Sequence, residues 1–173
     1  MSLHLQNLNL KGTLMSDKKL EPRVIGIFVC PVAGERMQEV LEVEAIVGAG
    51  LKGDRYCTGQ GSFNSKSGVG NRQVTLINGL FFEGSGFYYP ESRRNIVTMD
   101  VELMWLVGKE FQIGSAKFRG VKYCDPCNRP NTLCGKERSF KEAFFDCGGI
   151  IAEVIEGGLI RVADVVIPPS KGY

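Results

Sequence analysis

The chain has 173 residues, of which 43% are hydrophobic and 23% are charged, with a formal net charge of +2 and a single histidine, His4. This length and composition indicate one globular domain with its own core, and they exclude the broad basic surface of a nucleic-acid binder. One histidine nearly excludes Ser-His-Asp, Cys-His and histidine-based zinc chemistry, so any reaction must use thiols, carboxylates, arginines or a cofactor.

Residues 1–22 are predicted to be an N-terminal tail that ends at Pro22, and residues 23–169 to be the domain. The first predicted strands cover residues 23–30 and 39–47, and the second of them alternates apolar and charged residues. Residues 48–71 are rich in glycine, serine and asparagine, and a loop of this length inside a compact domain is typical of a functional segment.

Short strands continue through the second half of the domain. They are predicted over residues 72–77, 94–98, 111–113, 116–123, 149–155 and 159–167. Short helices are predicted over residues 101–107, with Asp100 as the N-cap, and over residues 140–145, where Ser139 and Glu142 form a capping box. Glu156-Gly157-Gly158 predicts a hairpin turn. Many short strands between glycine-containing turns predict a mainly β protein, either a barrel or a sandwich.

The compartment is expected to be the cytoplasm. No apolar run approaches the roughly 18 residues of a membrane span, and the first 20 residues lack the basic and apolar regions of a signal peptide. We therefore expect neither membrane nor nucleic acid as a partner. In a reducing compartment cysteines are expected as free thiols or ligands rather than as a disulfide framework. The six are Cys30, Cys57, Cys124, Cys127, Cys134 and Cys147.

The most informative motif is Cys124-Asp125-Pro126-Cys127, which follows a predicted strand. Cys-x2-Cys is half of a tetrahedral zinc site, but the remaining cysteines do not supply a second close pair. A thioredoxin-like redox pair would open a helix in a βαβ unit, whereas this motif follows a strand. Lys122, Arg129 and Lys136 lie close in sequence and would favour the reactive thiolate form of a cysteine.

Two further motifs can bind anions. Arg93-Arg94-Asn95 precedes a strand and can present planar donors to a phosphate. By spacing alone, a solvated strand entrance in which Arg93 pairs with Glu91 is the simpler interpretation. In the loop Gly50-Leu51-Lys52-Gly53-Asp54-Arg55 the glycines let the backbone approach a ligand, and Asp54 can pair with Arg55 to brace the loop.

The order and spacing of these motifs resemble the MOSC domain. This domain is the C-terminal module of eukaryotic molybdenum-cofactor sulfurases, and it also occurs alone in bacteria and in molybdoenzymes that reduce amidoximes and N-hydroxylamines. The matching segments are residues 50–55, 72–77, 93–98, 106–114, 124–127, and 148–150 leading to 158–164. The likeness covers about residues 23–167, and six motifs in the right order are specific. Two positions depart from the family pattern, since Tyr56 replaces the usual histidine and Ala163 replaces a glycine.

The resemblance implies a MOSC-type β-barrel with a few short helices that binds the molybdenum cofactor, a pterin dithiolene with a phosphate. It implies Cys127 as the molybdenum ligand or sulfur carrier, with Cys124 as a second catalytic candidate. The implied cofactor-binding residues are Arg93, Arg94, Asn95, Asp54, Arg55 and Arg72. We expect the arginines of the phosphate site to be exposed when no ligand is bound.

The expected function is that of a stand-alone MOSC protein that binds molybdenum cofactor, carries sulfur for it, or reduces N-hydroxylated small molecules. Whether it is an enzyme, a molybdenum-dependent oxidoreductase or a sulfur transferase, stays open, as does whether cofactor is bound in the purified protein. The implied partner is a sulfur donor, namely a pyridoxal-phosphate-dependent cysteine desulfurase, or a reductase. Pyridoxal phosphate enters by family association alone. The alternative is a non-catalytic binding or carrier module stabilised by thiols or zinc.

Overall fold

The computed structural model of the protein describes residues 21–64 and 72–169. Of the predicted tail over residues 1–22, only Glu21 and Pro22 lie within the described residues. Residues 65–71 of the long predicted loop also lie outside them.

The described residues form eleven short strands and two short helices. The strands are β1 (Arg23–Val29), β2 (Gln38–Val40), β3 (Glu42–Ile46), β4 (Gly50–Leu51), β5 (Val74–Asn78), β6 (Ile96–Met99), β7 (Glu110–Ile113), β8 (Ala116–Tyr123), β9 (Ile150–Glu156), β10 (Gly158–Arg161) and β11 (Val166–Ile167). The helices are α1 (Arg129–Cys134) and α2 (Phe140–Ala143), and 3₁₀ turns cover Gly79–Phe82, Tyr89–Ser92 and Met104–Leu106. A mainly β protein with a few short helices is therefore confirmed.

The strands form one sheet of eight strands and one of three. The order in the larger sheet is β11-β7-β8-β9-β5-β6-β1-β2, and in the smaller it is β10-β3-β4. β5 and β6 run parallel, while the other pairs among the described strands are antiparallel. Because β11 and β2 end the strand order, the predicted barrel closure is not confirmed. A single antiparallel bridge between Arg23 and Val165 brings the β11 end of the sheet towards β1.

The hairpin predicted at Glu156-Gly157-Gly158 is wrong. β9 pairs with β5 on one edge and β8 on the other, so no edge of it is free for β10, which pairs with β3. The segment carries the chain from the large sheet to the small one. A β-carbon at Gly158 would lie 2.6 Å from the backbone of Ser115, so the glycine is required by this close crossing.

The helix predicted over residues 101–107 shortens to one 3₁₀ turn, and Asp100 is not its N-cap. Asp100 has φ of 62°, and its carboxylate pairs with the Arg23 guanidinium at 2.7 Å. The N-cap predicted at Ser139 is confirmed, because its hydroxyl accepts a hydrogen bond from the Glu142 N–H at 3.2 Å.

Two buried clusters hold the elements together. The larger is mainly aliphatic, with Phe111 and Phe118, and most of its side chains come from the two sheets. The smaller is aromatic and packs α2 against β1 and β6: the rings of Phe140 and Phe144 stack with centroids 4.3 Å apart, and Phe87 meets Phe140 edge-on at 5.1 Å. This aromatic cluster fixes α2, which in turn contacts α1. In residues 21–64 and 72–169 no helix is long and apolar enough to cross a membrane.

Candidate functional site

A cavity of about 610 Å³ lies where the loop after β4, the starts of β5 and β6, and the end of β8 meet α1. Six basic residues line it, namely Arg55, Arg72, Arg93, Arg94, Lys122 and Arg129. Among the described residues of the lining, Asp125 is the one carboxylate. The cavity also contains Cys127, so a thiol and an excess of positive charge share one site.

The two cysteines of the motif lie in different surroundings. Cys127 is exposed and lines the cavity, whereas Cys124 is buried at 1% exposure and lies outside the lining. The Cys124 backbone N–H donates to the Gly149 carbonyl at 2.9 Å. A β-carbon at Gly148 would lie 2.5 Å from the Cys124 carbonyl and 2.8 Å from Pro126 Cδ, so the glycine lets the motif pack closely on this turn. The sequence candidate for direct chemistry that reaches the cavity is therefore Cys127.

Arg94 is part of the wall rather than a free cation. Its Nε donates to the Gly148 carbonyl at 2.9 Å, its Nη2 to the Cys124 carbonyl at 3.1 Å, and its Nη1 to the Ser92 carbonyl at 3.3 Å. The residue is only 5% exposed. The expectation that it would be exposed without ligand is wrong, because three backbone carbonyls take up its donors. Arg94 fixes the cysteine motif to the turn before β9.

Asn95 and Asp54 form a buried polar link between the sheet and the glycine-containing loop. The Asn95 Oδ1 accepts from the N–H and the hydroxyl of Thr75, and its Nδ2 donates to the Phe28 carbonyl and to Asp54 Oδ2 at 3.1 Å each. Asp54 also accepts from the backbone N–H groups of Cys30 and Tyr56 at 2.9 and 3.0 Å. Both side chains are less than 5% exposed, so their polar atoms are satisfied by the protein.

The simpler interpretation of its spacing paired Arg93 with Glu91, and the structure contradicts this pairing. Arg93 has φ of 63°, and its guanidinium donates to the Glu35 carbonyl and, at 3.2 Å, to the Cys30 sulfur. The Glu91 carboxylate instead accepts from Lys136 Nζ at 2.5 Å. Arg93 is partly exposed in the cavity, so it is more accessible there than Arg94.

Arg55 and Arg72 carry donors that the described protein does not use. The Nε atoms of both are buried without a hydrogen-bond partner in the part of the chain that the structure describes. The Arg55 guanidinium lies 4.7 Å from the centroid of Tyr56 and 4.0 Å from Asp54 Oδ2, and that of Arg72 lies 4.0 Å from the centroid of Phe63. Buried N–H donors without an acceptor are costly, and an anionic ligand would satisfy them.

The structure records all six cysteines as free. The pKa values of Cys57, Cys134 and Cys147 are raised, in each case mainly because burial disfavours the thiolate. A raised pKa keeps these three in the unreactive thiol form at neutral pH. No group of three or more metal-ligating side chains comes together within residues 21–64 and 72–169, so these residues offer no zinc cluster for the alternative interpretation.

The structure thus brings six of the eight sequence candidates to one cavity, and Asp54 and Cys124 lie behind its wall. Sequence reasoning named Lys122 and Arg129 as neighbours of the motif but did not include them in the site. Their positions two residues before and two residues after the motif were the signal that could have placed them there. Phe63 and Tyr123 also line the cavity, and for Phe63 the sequence gives no signal.

The fold and the site define a class of protein: a strand-rich domain in which a thiol lines a cationic cavity. Residues 83–167 match the family model of the MOSC domain. The segment over residues 83–167 is therefore of the MOSC type, and the resemblance drawn from the motifs is confirmed.

Solved structures of low sequence identity share the fold. The YuaD protein from Bacillus subtilis is 14% identical with a TM-score of 0.71, and the match covers 85% of this chain and 94% of that one. YiiM from Escherichia coli is 16% identical with a TM-score of 0.60, covering 87% and 71% of the two chains. YiiM from Geobacillus stearothermophilus is 12% identical, also with a TM-score of 0.60, covering 87% and 76%. No curated protein matches the chain in sequence.

Proposed function

We propose that this protein binds the molybdenum cofactor in the cationic cavity, with Cys127 as the sulfur ligand of the metal. The observation that carries the proposal is the exposed Cys127 thiol in a cavity of about 610 Å³ with six basic residues in its lining. The cofactor carries a phosphate and a dithiolene, both of which favour cationic surroundings, and a thiolate is a soft ligand that suits molybdenum.

The side chains of the cavity fit such an anion in two ways. Arg55 and Arg72, with their unpartnered Nε atoms, and the partly exposed Arg93 are the donors that would hold the phosphate. Arg94 and Asn95 line the cavity, but their side chains form hydrogen bonds with the protein itself. Their role in this proposal is to position the wall of the cavity. Asp54 lies outside the cavity lining, and its hydrogen bonds to the backbone of Cys30 and Tyr56 fix the loop that carries Arg55.

When bound, the cofactor supplies two-electron redox chemistry or a place for a terminal sulfur. The protein then acts as an oxidoreductase for small N-hydroxylated molecules, supported by a reductase, or as a sulfur transferase. In the second case the Cys127 thiolate would take the outer sulfur of a cysteine persulfide on a pyridoxal-phosphate-dependent cysteine desulfurase, and the desulfurase thiolate would leave as the sulfur–sulfur bond breaks. In both cases this chain binds and orients the cofactor, and Cys127 is the group that would contact the reacting centre.

The experiment is a metal and pterin analysis of the gently purified protein, repeated after reconstitution with cofactor. We expect stoichiometric molybdenum with pterin fluorescence in the parent, and loss of bound molybdenum in Cys127→Ser. Cys57→Ser is the matched control, because Cys57 lies outside the cavity lining. Zinc without molybdenum, or failure of the parent to take up cofactor, would favour the non-catalytic module instead.

A further inference from the structure

The mouth of the cavity carries two cations that the fold does not use. Lys122 lies near the end of β8 and Arg129 is the first residue of α1; both are exposed and both line the cavity together with Cys127. Neither side chain makes an ion pair or a hydrogen bond with the described residues.

Four other basic side chains on or next to the strands are paired with glutamates. The pairs are Lys52 with Glu44, Lys117 with Glu156, Arg119 with Glu110 and Glu153, and Arg161 with Glu42. Surface pairs of this kind stabilise a fold little, but they neutralise local charge. Because Lys122 and Arg129 have no such partner among the described residues, they leave an unbalanced positive charge in the lining that they share with Cys127, which Asp125 alone offsets among the described lining residues.

An anion bound by the inner arginines does not remove this surplus. Arg55, Arg72 and Arg93 lie in the lining contributed by the loop after β4 and by the starts of β5 and β6. Lys122 and Arg129 instead flank the cysteine motif in sequence, at the exposed side of the same cavity. A second anionic group that approaches Cys127 from solvent would therefore meet these two cations.

We propose that Lys122 and Arg129 form a subsite that selects small anionic substrates, which carry a carboxylate, sulfonate or phosphate group, for the chemistry at Cys127. The proposal rests on the proposed function for the identity of the reacting group. The charge preference itself is a property of this chain's own side chains, so it can be measured on the protein without cofactor.

The test compares two alkylating reagents of similar size at Cys127: iodoacetate, which is an anion, and iodoacetamide, which is neutral. In each case the thiolate sulfur forms a bond to carbon while the carbon–iodine bond breaks and iodide leaves. Rates at Cys127 are followed by peptide mass spectrometry, with a small free thiol such as glutathione as the reference. The quantity of interest is the iodoacetate-to-iodoacetamide rate ratio.

We expect Lys122→Gln and Arg129→Gln each to lower this ratio at Cys127 by about three- to fivefold, the effect of one unit charge at contact distance in water. Asp125→Asn should raise it by a similar factor, and added salt should bring all variants together. Lys141→Gln and Arg138→Gln are the matched controls, since both are exposed basic residues outside the cavity lining, and they should leave the ratio unchanged.

Two results would overturn the proposal. If the ratio is the same in Lys122→Gln, Arg129→Gln and the controls, the mouth does not select anions. If both reagents slow equally in the two variants, the cations act on ionisation of the thiol rather than on the approaching molecule. If the parent binds molybdenum and pterin but the Lys122→Gln and Arg129→Gln variants have the parent's rate ratio, the proposed function stands without the subsite. If the two variants lower the ratio but the parent binds no cofactor, the subsite stands without the proposed function.

Discussion

Replacement of Arg94 by alanine should cost stability rather than only ligand affinity. The substitution removes three hydrogen bonds from a charged group to the carbonyls of Ser92, Cys124 and Gly148, all in a region where Arg94 is 5% exposed. Bonds to charged groups contribute about 1.5–3 kcal/mol each, but they share one side chain and are not additive. We therefore expect a loss of about 3–5 kcal/mol in the free energy of unfolding, the range typical of a broken buried network.

The assay is urea unfolding followed by the fluorescence of Trp105, which lies in the 3₁₀ turn Met104–Leu106 and outside the cavity lining. Arg138→Ala, an exposed arginine outside the lining, is the control and should stay within about 0.5 kcal/mol of the parent. Arg94→Lys should fall between the two, because one ammonium group cannot reproduce the planar fork that reaches three carbonyls. An Arg94→Ala variant within 1 kcal/mol of the control, at about the scale of an ordinary surface change, would refute the view that Arg94 holds the wall.

Three further outcomes are expected. Asn95→Ala should destabilise by about 2–4 kcal/mol in the same assay, because it leaves the Thr75 N–H without its acceptor in a buried place, and an unchanged midpoint would contradict this. Cys127→Ser should abolish cofactor-dependent activity or persulfide loading with an unchanged urea midpoint, whereas Cys124→Ser should shift the midpoint, since Cys124 is 1% exposed; equal activity in Cys127→Ser and the parent would remove Cys127 from the site. Burial raises the pKa of Cys147, so this thiol should stabilise the fold below the ordinary thiol pKa and lose that contribution as pH rises through its own. Its iodoacetamide rate, measured by mass spectrometry, should keep rising at pH values where a small free thiol has levelled off, and a plateau shared by the two would count against it.

The strands were largely predictable because their side chains alternate or run apolar. The predicted strand over residues 116–123 coincides with β8, in which Ala116, Phe118 and Gly120 are buried and the residues between them less so. What the pattern could not supply is the partner of each strand. The strand predicted over residues 149–155 matches β9, whereas the one predicted over residues 159–167 divides into β10 and β11. A period of two says nothing about which strand edges are already occupied, so the pattern predicts a hairpin where the chain changes sheet.

The candidate site was likewise predictable in residue type but not in tertiary contacts. Residue types pointed to anion binding at Arg93-Arg94-Asn95, but only the tertiary structure shows that the side chains of Arg94 and Asn95 are buried. Backbone carbonyls accept from Arg94, and both backbone and side-chain groups bond Asn95. α1 escaped prediction because its sequence is short and lacks helical periodicity, although Pro130 in its first turn and Gly135 after its end are typical helix boundaries. The loop around Phe63 had no sequence pattern from which its place against Arg72 could be inferred.

The contacts of Arg94 also have a consequence for the order in which the protein folds. Its hydrogen bonds to Cys124 and Gly148 span 30 and 54 positions of the chain. The neighbouring Asn95 bonds to Phe28 of β1, which lies 67 positions earlier. Such long-range contacts close only after large loops have been brought together, which slows folding relative to local contacts. The cavity around Cys127 is therefore expected to assemble only after the chain as far as Gly148 is available and these loops have closed. A nascent chain would carry its reactive thiol for some time before the arginines gather around it, and loading of cofactor or sulfur would have to wait for the finished fold.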